Sequence, residues 1–254
     1  MHDLIQTIQR AIYNSFIFQD RWQMWLNGLQ MTLSMTFFAL ILGLIIGLIV
    51  ALIRVTNDSL EKPPITLRIF NRIVSIYVSV VRGIPMVVQA LIWSFVILAA
   101  SRNQLLIGAL AFGFNSGAYV SEVFRGGIKS IDKGQMEAGR SLGMGYGQTM
   151  FKIILPQAFK NCLPAFGNEF ISLLKETSIA GAAAITELTH AANMIRGRTF
   201  DPAPLAFVAI IYLILVLFLE FLVRLMEKKL AKSDHRSAKV ASELKTHAGR
   251  KRKR

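Results

Sequence analysis

The stretch MTLSMTFFALILGLIIGLIVALI, Met31–Ile53, decides the fold class of this chain. It carries no charged residue, and as a helix it would extend about 34 Å, enough to cross a hydrocarbon core of roughly 30 Å. Within it, small residues recur at every fourth position: Ala39, Gly43, Gly47 and Ala51. Such a stripe lets a second helix approach closely. We therefore predict a transmembrane helix that packs tightly against a neighbour.

The composition extends this prediction to the whole chain. Of its 254 residues, 53% are hydrophobic and 17% charged, and the mean hydropathy is +0.47. A soluble domain of this length carries more charge and does not collect its apolar residues into long runs. We predict an all-α integral membrane protein with five transmembrane helices: Met31–Ile53, Ile73–Ala100, Leu105–Phe124, Pro164–Ile185 and Leu205–Met226.

Three of these spans have features of their own. Pro85 lies within the second span, and its ring removes a backbone donor, so we expect a kink there. The third span has a small-residue stripe at Ala109, Gly113 and Gly117. The fifth span lacks glycine and is nearly all Leu, Ile, Val and Phe, which is typical of a helix at the lipid-facing edge of a bundle.

A polar loop precedes the fourth span, and loop residues up to Pro204 lead to the fifth. Three further segments outside the spans have patterns of their own. In the amino-terminal extension, residues 1–21, apolar residues can form one face of a helix on the membrane surface, although a frayed terminus fits the same pattern. Residues 54–72 are expected to form a loop and a short surface helix. Residues 231–254 form a basic tail, for which a cytoplasmic position beside anionic lipid is a better explanation than nucleic-acid binding.

The distribution of positive charge predicts the orientation. With the amino terminus outside, the segments on the inner side carry twenty-two Lys or Arg residues, twelve of them between Arg224 and Arg254, and the outer segments carry five. Positive residues accumulate on the cytoplasmic side of membrane proteins. We therefore expect the amino terminus outside and the carboxyl terminus in the cytoplasm, which places the polar loop before the fourth span in the cytoplasm.

This cytoplasmic loop, residues 130–160, has the pattern of two short helices. The first is predicted over Gln135–Leu142, with Gly143 ending it in a left-handed conformation. The second is predicted over Tyr146–Ile154, stopping before Pro156. Two helices at an angle would form a projecting knob that fits a groove on a partner. An amphipathic connector without a partner is the alternative that composition alone allows.

The spacing in this loop is specific: Glu-Ala-Gly, three residues, Gly, nine residues, then Ile-x-Leu-Pro. It resembles the EAA loop of the membrane subunits of ABC importers, in which the loop docks on the ATP-binding subunit. The sequence departs from that pattern at one position, where glycine replaces the usual second alanine and is expected to loosen the first helix by about 1 kcal/mol. The resemblance assigns coupling to Glu137, Ala138, Gly139, Gly143, Ile153, Leu155 and Pro156.

Further segments narrow the resemblance to permeases for polar amino acids, over roughly residues 26–230. They are RGIP at 82–85, NSGAY at 115–119, EVFRGGI at 122–128, GQ at 134–135 and GNEFISLLKETS at 167–178. The resemblance implies a type I ABC importer permease domain over residues 22–230 in a bacterial inner membrane. It also implies a second permease subunit, identical or different, two ATP-binding subunits, an extracytoplasmic solute-binding protein and an alternating-access mechanism.

Ionisable and polar residues inside the spans are candidates for the substrate pathway, because a charge there costs roughly 2.5–3.5 kcal/mol on insertion scales. Glu169 is the strongest candidate, since its carboxylate can meet an ammonium group, and Ser172 shares its helical face. Asn115 and Tyr119 can add neutral hydrogen bonds. The alternative for such residues is structural pairing, which we assign to Arg82, Glu122, Arg125, Lys175 and Glu176, with Glu122 and Arg125 paired at i, i+3.

No catalytic pattern emerges from the sequence. The P-loop spacing G-x4-GK-[ST] is absent, and the four histidines show no H-x3-H pair on a span. We therefore expect a transport subunit that holds no metal or cofactor, with ATP bound by its partner. Two alternatives remain. One is an ion-coupled secondary transporter in which Glu169 or Glu176 carries protons, and the other is a membrane sensor or scaffold. The sequence leaves open which amino acid is carried, cationic or neutral, and whether the second permease is the same chain.

Overall fold

The computed structural model describes the backbone of residues 2–251 and the side chains of residue 3 and residues 5–230. Ten α-helices account for most of this range: α1 His2–Ile12, α2 Trp22–Ser59, α3 Ile65–Gly83, α4 Met86–Ile92, α5 Gln104–Lys129, α6 Lys133–Ser141, α7 Tyr146–Thr149, α8 Leu155–Glu176, α9 Leu188–Thr199 and α10 Ala203–Lys251. Short π or 3-10 segments join several of them, at Tyr13–Ile17, Phe18–Asp20, Trp93–Ile97, Met150–Ile154 and Thr177–Ala183.

The centre of the fold is the pairing of α2 with α5. All four small residues of the α2 stripe are buried. A Cβ atom at Gly47 would lie 3.0 Å from the backbone nitrogen of Ser121, so only glycine permits this approach. Gly113 of α5 faces α2 in the same way, with the Ala39 carbonyl oxygen 3.1 Å from where its Cβ would be. The predicted close packing against the small-residue stripe is confirmed.

The break at Pro85 is larger than a kink. α3 ends at Gly83, and the helix that follows is bent by 109° relative to it. The Gln89 amide donates to the carbonyl oxygens of Val81 (2.7 Å) and Ile84 (2.8 Å), which lose their helical donors at the break. The predicted separation of a surface helix from this span was wrong: α3 runs unbroken from Ile65, because Pro64 precedes its first turn, where a proline interrupts nothing.

The helix predicted to begin at Pro164 begins earlier. α8 starts at Leu155 and contains Pro164, and the second loop helix does not stop before Pro156 but continues through a π segment into α8. Pro156 follows directly after this π segment, in which the Leu155 N–H donates to the Met150 carbonyl, so the helical hydrogen bonds are already shifted where the proline lacks a donor. The end predicted at Ile185 was also wrong, because α8 ends at Glu176 and a 3-10 segment follows it.

The segment before Pro204, expected as loop, contains α9. The Glu187 carboxylate caps its first turn by accepting from the backbone N–H groups of Thr189 (2.6 Å) and His190 (2.7 Å). Tyr212 of α10 donates to the same carboxylate at 3.1 Å. Glu187 thus caps α9 and joins it to α10.

Two helices of the described residues are long and apolar enough to cross a membrane, Trp22–Ser59 and Ala203–Leu230, and the bent pair Ile65–Gly83 with Met86–Ile97 makes a third if it is one span. Leu213, Ile214 and Phe218 of Ala203–Leu230 are exposed, and Val208 is its only large aliphatic side chain that is buried, so the predicted position at the edge of the bundle is confirmed, while its contact with lipid stays a prediction. The side chains of the predicted basic tail, residues 231–254, lie outside the described residues.

Candidate functional site

The tip of the loop at residues 130–160, predicted to be cytoplasmic, is a helix with a defined start and end. The Asp132 carboxylate caps α6 by accepting from the Gly134 N–H at 2.6 Å. At the other end, the Gly143 N–H donates to the Arg140 carbonyl (2.9 Å) and the Met144 N–H to the Gly139 carbonyl (3.1 Å). These two bonds form a Schellman motif. Gly143 has φ +81°, so the predicted left-handed helix end is confirmed.

Gly139, the departure from the family pattern, lies where α6 meets α7. It is buried, and a Cβ atom there would lie 2.8 Å from the Thr149 Oγ1. Thr149 is fully buried and its hydroxyl donates to the Gly145 carbonyl at 3.1 Å. The glycine therefore makes room for the Thr149 side chain where the two short helices pack, which the sequence alone did not reveal.

The outer surface of the loop combines charge with exposed apolar groups. Glu137 and Ala138 are exposed on α6. The Leu142 side chain is 82% exposed and that of Phe151 is 64% exposed. Exposed large apolar side chains on a projecting segment are typical of a protein contact. The surface of the loop is thus suited to insertion into a groove on another protein.

The base of the loop packs on the membrane helices. Ile153 and Leu155 pack against a buried cluster that contains Val55 of α2 and Ile128 of α5, together with Met150, Ile154 and Ala158. Pro156, the last of the coupling residues, is exposed. Of the predicted coupling residues, Glu137 and Ala138 are thus exposed at the tip, and Ile153 and Leu155 pack at the base against the ends of α2 and α5.

Charged side chains reinforce this junction between α2 and α5. Arg54 forms an ion pair with Glu122, and the Arg125 Nη1 lies 3.6 Å from the Glu122 Oε2. Asp58 accepts from Arg125 at 3.2 Å and from Lys129 at 3.4 Å. Burial raises the pKa of the Asp58 carboxyl, but the hydrogen bonds and charges of Arg125 and Lys129 outweigh it and hold this pKa below its ordinary 3.8. Arg54 and Asp58 were missed, although their i, i+4 spacing matches that of Arg125 and Lys129.

Two of the predicted pathway residues, Asn115 and Tyr119, lie on α5, and a third, Glu169, contacts α5 from α8. The Ser116 hydroxyl donates to the Glu169 Oε1 at 2.7 Å. Asn115 is buried, and the Arg82 guanidinium lies over the Tyr119 ring, 5.2 Å from its centroid. Ser116 was not among the predicted site residues. Its position inside the NSGAY segment was the signal that pointed to it.

Ser172 follows Glu169 by almost one turn of α8. It lines a cavity of about 310 Å³ against α10, together with Lys175, Arg224 and Glu220. Arg224 and Glu220 form an i, i+4 ion pair at 2.9 Å. Among the described side chains, neither Lys175 nor Glu176 forms an ion pair, so their structural pairing stays a prediction.

Comparison with known proteins shows the family to which the chain is similar. The profile of the family "binding-protein-dependent transport system inner membrane component" matches residues 66–232. The chain is 40% identical to the arginine transport system permease protein ArtQ of Bacillus subtilis over 173 residues, which cover 66% of this chain and 79% of the relative. It is 34% identical to the L-cystine transport system permease protein TcyB of the same organism over 228 residues, 88% and 94% of the two chains.

Solved structures agree with this match. A crystal structure of an amino acid ABC transporter with histidines contains a chain that is 36% identical, with a TM-score of 0.71, over 82% of this chain and 94% of that one. A chain of the MetNI methionine ABC transporter in an inward-facing conformation has the same TM-score at 22% identity, which supports the fold alone. The protein is therefore a permease that belongs to the family of inner membrane components of binding-protein-dependent transport systems.

Proposed function

We propose that this chain forms the translocation pathway of an ATP-driven importer for polar amino acids and couples it to a separate ATPase subunit. The observation that carries the proposal is the cytoplasmic loop, whose tip is exposed and whose base packs on α2 and α5. The amino acid class is supported by the names of the relatives, which are arginine and L-cystine transport permeases.

The lengths of the helices support the proposal of five transmembrane spans. Beside α2, the bent pair and α10, two further helices qualify by length: α5 with 26 residues would extend about 39 Å, and α8 with 22 residues about 33 Å. Both are rich in small and polar residues because they lie inside the bundle. Under the positive-inside rule the amino terminus lies outside, and α6 and α7 face the cytoplasm.

The coupling mechanism follows from the division of the loop into tip and base. An ATP-binding subunit would hold the tip at Glu137, Ala138 and Leu142, and its closure on ATP would displace α6 and α7 together, because Gly139 and Thr149 join them. The base would transmit this displacement to the cytoplasmic ends of α2 and α5. A second permease subunit and an extracytoplasmic solute-binding protein complete the assembly.

For the substrate pathway we propose Glu169 as the group that meets an ammonium or a cationic side chain. Ser116 orients its carboxylate, and Asn115, Tyr119 and Ser172 supply neutral hydrogen bonds. The chain is a transport subunit rather than an enzyme. It needs no cofactor of its own in this scheme, since ATP is bound by the partner.

Reconstitution tests the proposal. The chain is placed in proteoliposomes with a candidate ATP-binding subunit and a solute-binding protein, and uptake of radiolabelled arginine, lysine, histidine and glutamine is measured with ATP, without ATP, and with a non-hydrolysable analogue. We expect uptake only with ATP. Uptake that persists without ATP and follows an imposed proton gradient would favour a secondary transporter, and binding without uptake would favour a sensor.

A further inference from the structure

A cavity of about 390 Å³ with mostly polar residues in its lining lies between the cytoplasmic end of α2 and the first half of α3. It is lined by Asn57, Pro63, Arg68, Asn71, Arg72 and Ser75. None of these residues belongs to the cytoplasmic loop or to the proposed substrate pathway. The cavity therefore needs an explanation of its own.

The chemistry of the cavity is that of an anion site. Arg68 and Arg72 are one helical turn apart, and among the described residues neither guanidinium forms an ion pair or a side-chain hydrogen bond. Guanidinium groups bind phosphate oxygens through paired N–H donors. The Asn57 Oδ1 is buried and has no donor within the described residues, so a ligand that also carries a hydroxyl group would satisfy it.

The surroundings of the cavity are those of a membrane interface. Ile65, Ile69, Ile73 and Ile76 form an exposed apolar stripe on the adjacent face of α3, with Ile65 68% exposed and Ile73 56% exposed. Asn57 lies four residues beyond Ile53, the end of the apolar run of α2. A free anion needs no apolar wall beside its site, whereas a phospholipid requires one for its acyl chains.

We propose that this cavity binds the phosphodiester headgroup of an anionic phospholipid of the cytoplasmic leaflet, with phosphatidylglycerol as the probe that fits both the arginines and Asn57. The guanidinium groups of Arg68 and Arg72 hold the phosphate, and the glycerol hydroxyls lie toward Asn57. The acyl chains lie along the isoleucine stripe. The assignment of the leaflet rests on the orientation proposed above, but the site itself does not depend on transport.

Native mass spectrometry of the full chain tests this site. The protein is released from nanodiscs that contain equal amounts of phosphatidylglycerol and phosphatidylcholine, and the retained lipid is counted. With about 1 kcal/mol per basic residue near a membrane surface, we expect about a fivefold loss of retained phosphatidylglycerol for Arg68→Gln or Arg72→Gln and about a 25-fold loss for the double variant. The matched control is Arg102→Gln, which removes an exposed arginine from the opposite side, and all variants keep the basic tail.

The outcomes separate lipid from free phosphate and from general electrostatics. Equal retention in the double variant and the Arg102→Gln control would overturn the proposal. Thermal stabilisation by inorganic phosphate that the double variant abolishes, without a preference for phosphatidylglycerol, would assign the site to a free anion instead. The double variant Arg68→Lys, Arg72→Lys keeps both charges and should retain part of the phosphatidylglycerol, which distinguishes loss of the arginine charges from misfolding. A chain that retains the lipid but fails in uptake would count against the proposed function alone.

Discussion

The Ser116 hydroxyl donates a 2.7 Å hydrogen bond to the Glu169 Oε1, and this bond joins α5 to α8 inside the bundle. A carboxylate inside a membrane protein is costly unless it is paired or lines a watery path. The bond occupies one oxygen, and within the described residues the Glu169 Oε2 accepts no hydrogen bond. Glu169 is thus positioned by Ser116 and still has an oxygen for a ligand.

Replacing Glu169 with Gln is expected to change substrate preference. The amide keeps the size of the side chain but removes its charge, and a hydrogen bond between charged groups contributes roughly 1.5–3 kcal/mol, so the KM for arginine or lysine should rise by about tenfold or more. The KM for glutamine should rise less, since only its ammonium group is affected. Competition uptake in proteoliposomes measures both.

Ser116→Ala is the matched control for this prediction. It removes the positioning hydrogen bond but keeps the carboxylate, so transport should fall for cationic and neutral substrates alike. If Glu169→Gln instead lowered uptake of every substrate equally, Glu169 would not contact the cationic side chain, and the source of any preference for cationic substrates would have to be sought elsewhere.

Features that depend on local residue spacing could be predicted from the sequence. Features that depend on contacts between residues distant in the sequence could not. The small-residue stripe of Met31–Ile53 and the helix end at Gly143 followed from periodicity and backbone preference alone. The continuation of α8 through Pro164 and the capping of α9 by Glu187 did not, because each depends on neighbouring helices that supply packing or hydrogen bonds. Gly139 shows the same limit. The low helix propensity of glycine could be predicted from the sequence, but its contact with the buried Thr149 side chain could not.

Gly143→Val is expected to uncouple ATP hydrolysis from uptake. The residue has φ +81°, and nothing lies within 4 Å of where its Cβ would be, so the substitution acts through the backbone rather than through a clash. A left-handed conformation costs an L-residue roughly 1–2 kcal/mol, and more when it is β-branched, so the end of α6 should rearrange. ATPase activity and uptake of the reconstituted complex are measured together.

Gly147→Val provides the comparison for Gly143→Val. Gly147 lies in the same loop and also has open space around it, but its φ is not in the left-handed region. Its replacement should leave coupling close to normal. Gly143→Asn should retain more coupling than Gly143→Val, since asparagine tolerates the left-handed region. Equal coupling in all three variants would argue against a role for the left-handed turn.

Gly139 and Thr149 should be energetically coupled. Gly139→Ala restores the residue that the family pattern has, yet its Cβ would meet the Thr149 side chain, so we expect α6 and α7 to separate and become more sensitive to limited proteolysis. Thr149→Ala makes room, and the double variant should recover resistance, with an interaction energy of roughly 1–3 kcal/mol in a double-mutant cycle. Additive effects of the two changes would show that the helices do not meet at this point.

The carboxylate of Asp58 provides a test of the junction between α2 and α5 through pH. Because Arg125 and Lys129 hold its pKa below 3.8 in the folded protein, its contribution to stability is present above that pH and is lost as the pH falls through the lowered value. The Asp58 side chain is 39% exposed, so solvent screening limits the effect to about 0.5 kcal/mol, or roughly 1–2 °C in Tm.

Thermal unfolding of the purified chain between pH 3 and 7 measures this effect as the difference in Tm between wild type and Asp58→Asn. The difference should be constant above about pH 5 and shrink below the ordinary pKa of 3.8. It should also shrink in 1 M salt, where the screening length is about 3 Å. Lys129→Gln should reduce the difference without removing it, because Arg125 still donates to Asp58. A difference that is independent of both pH and salt would mean that Asp58 stabilises the junction through packing rather than through its charge.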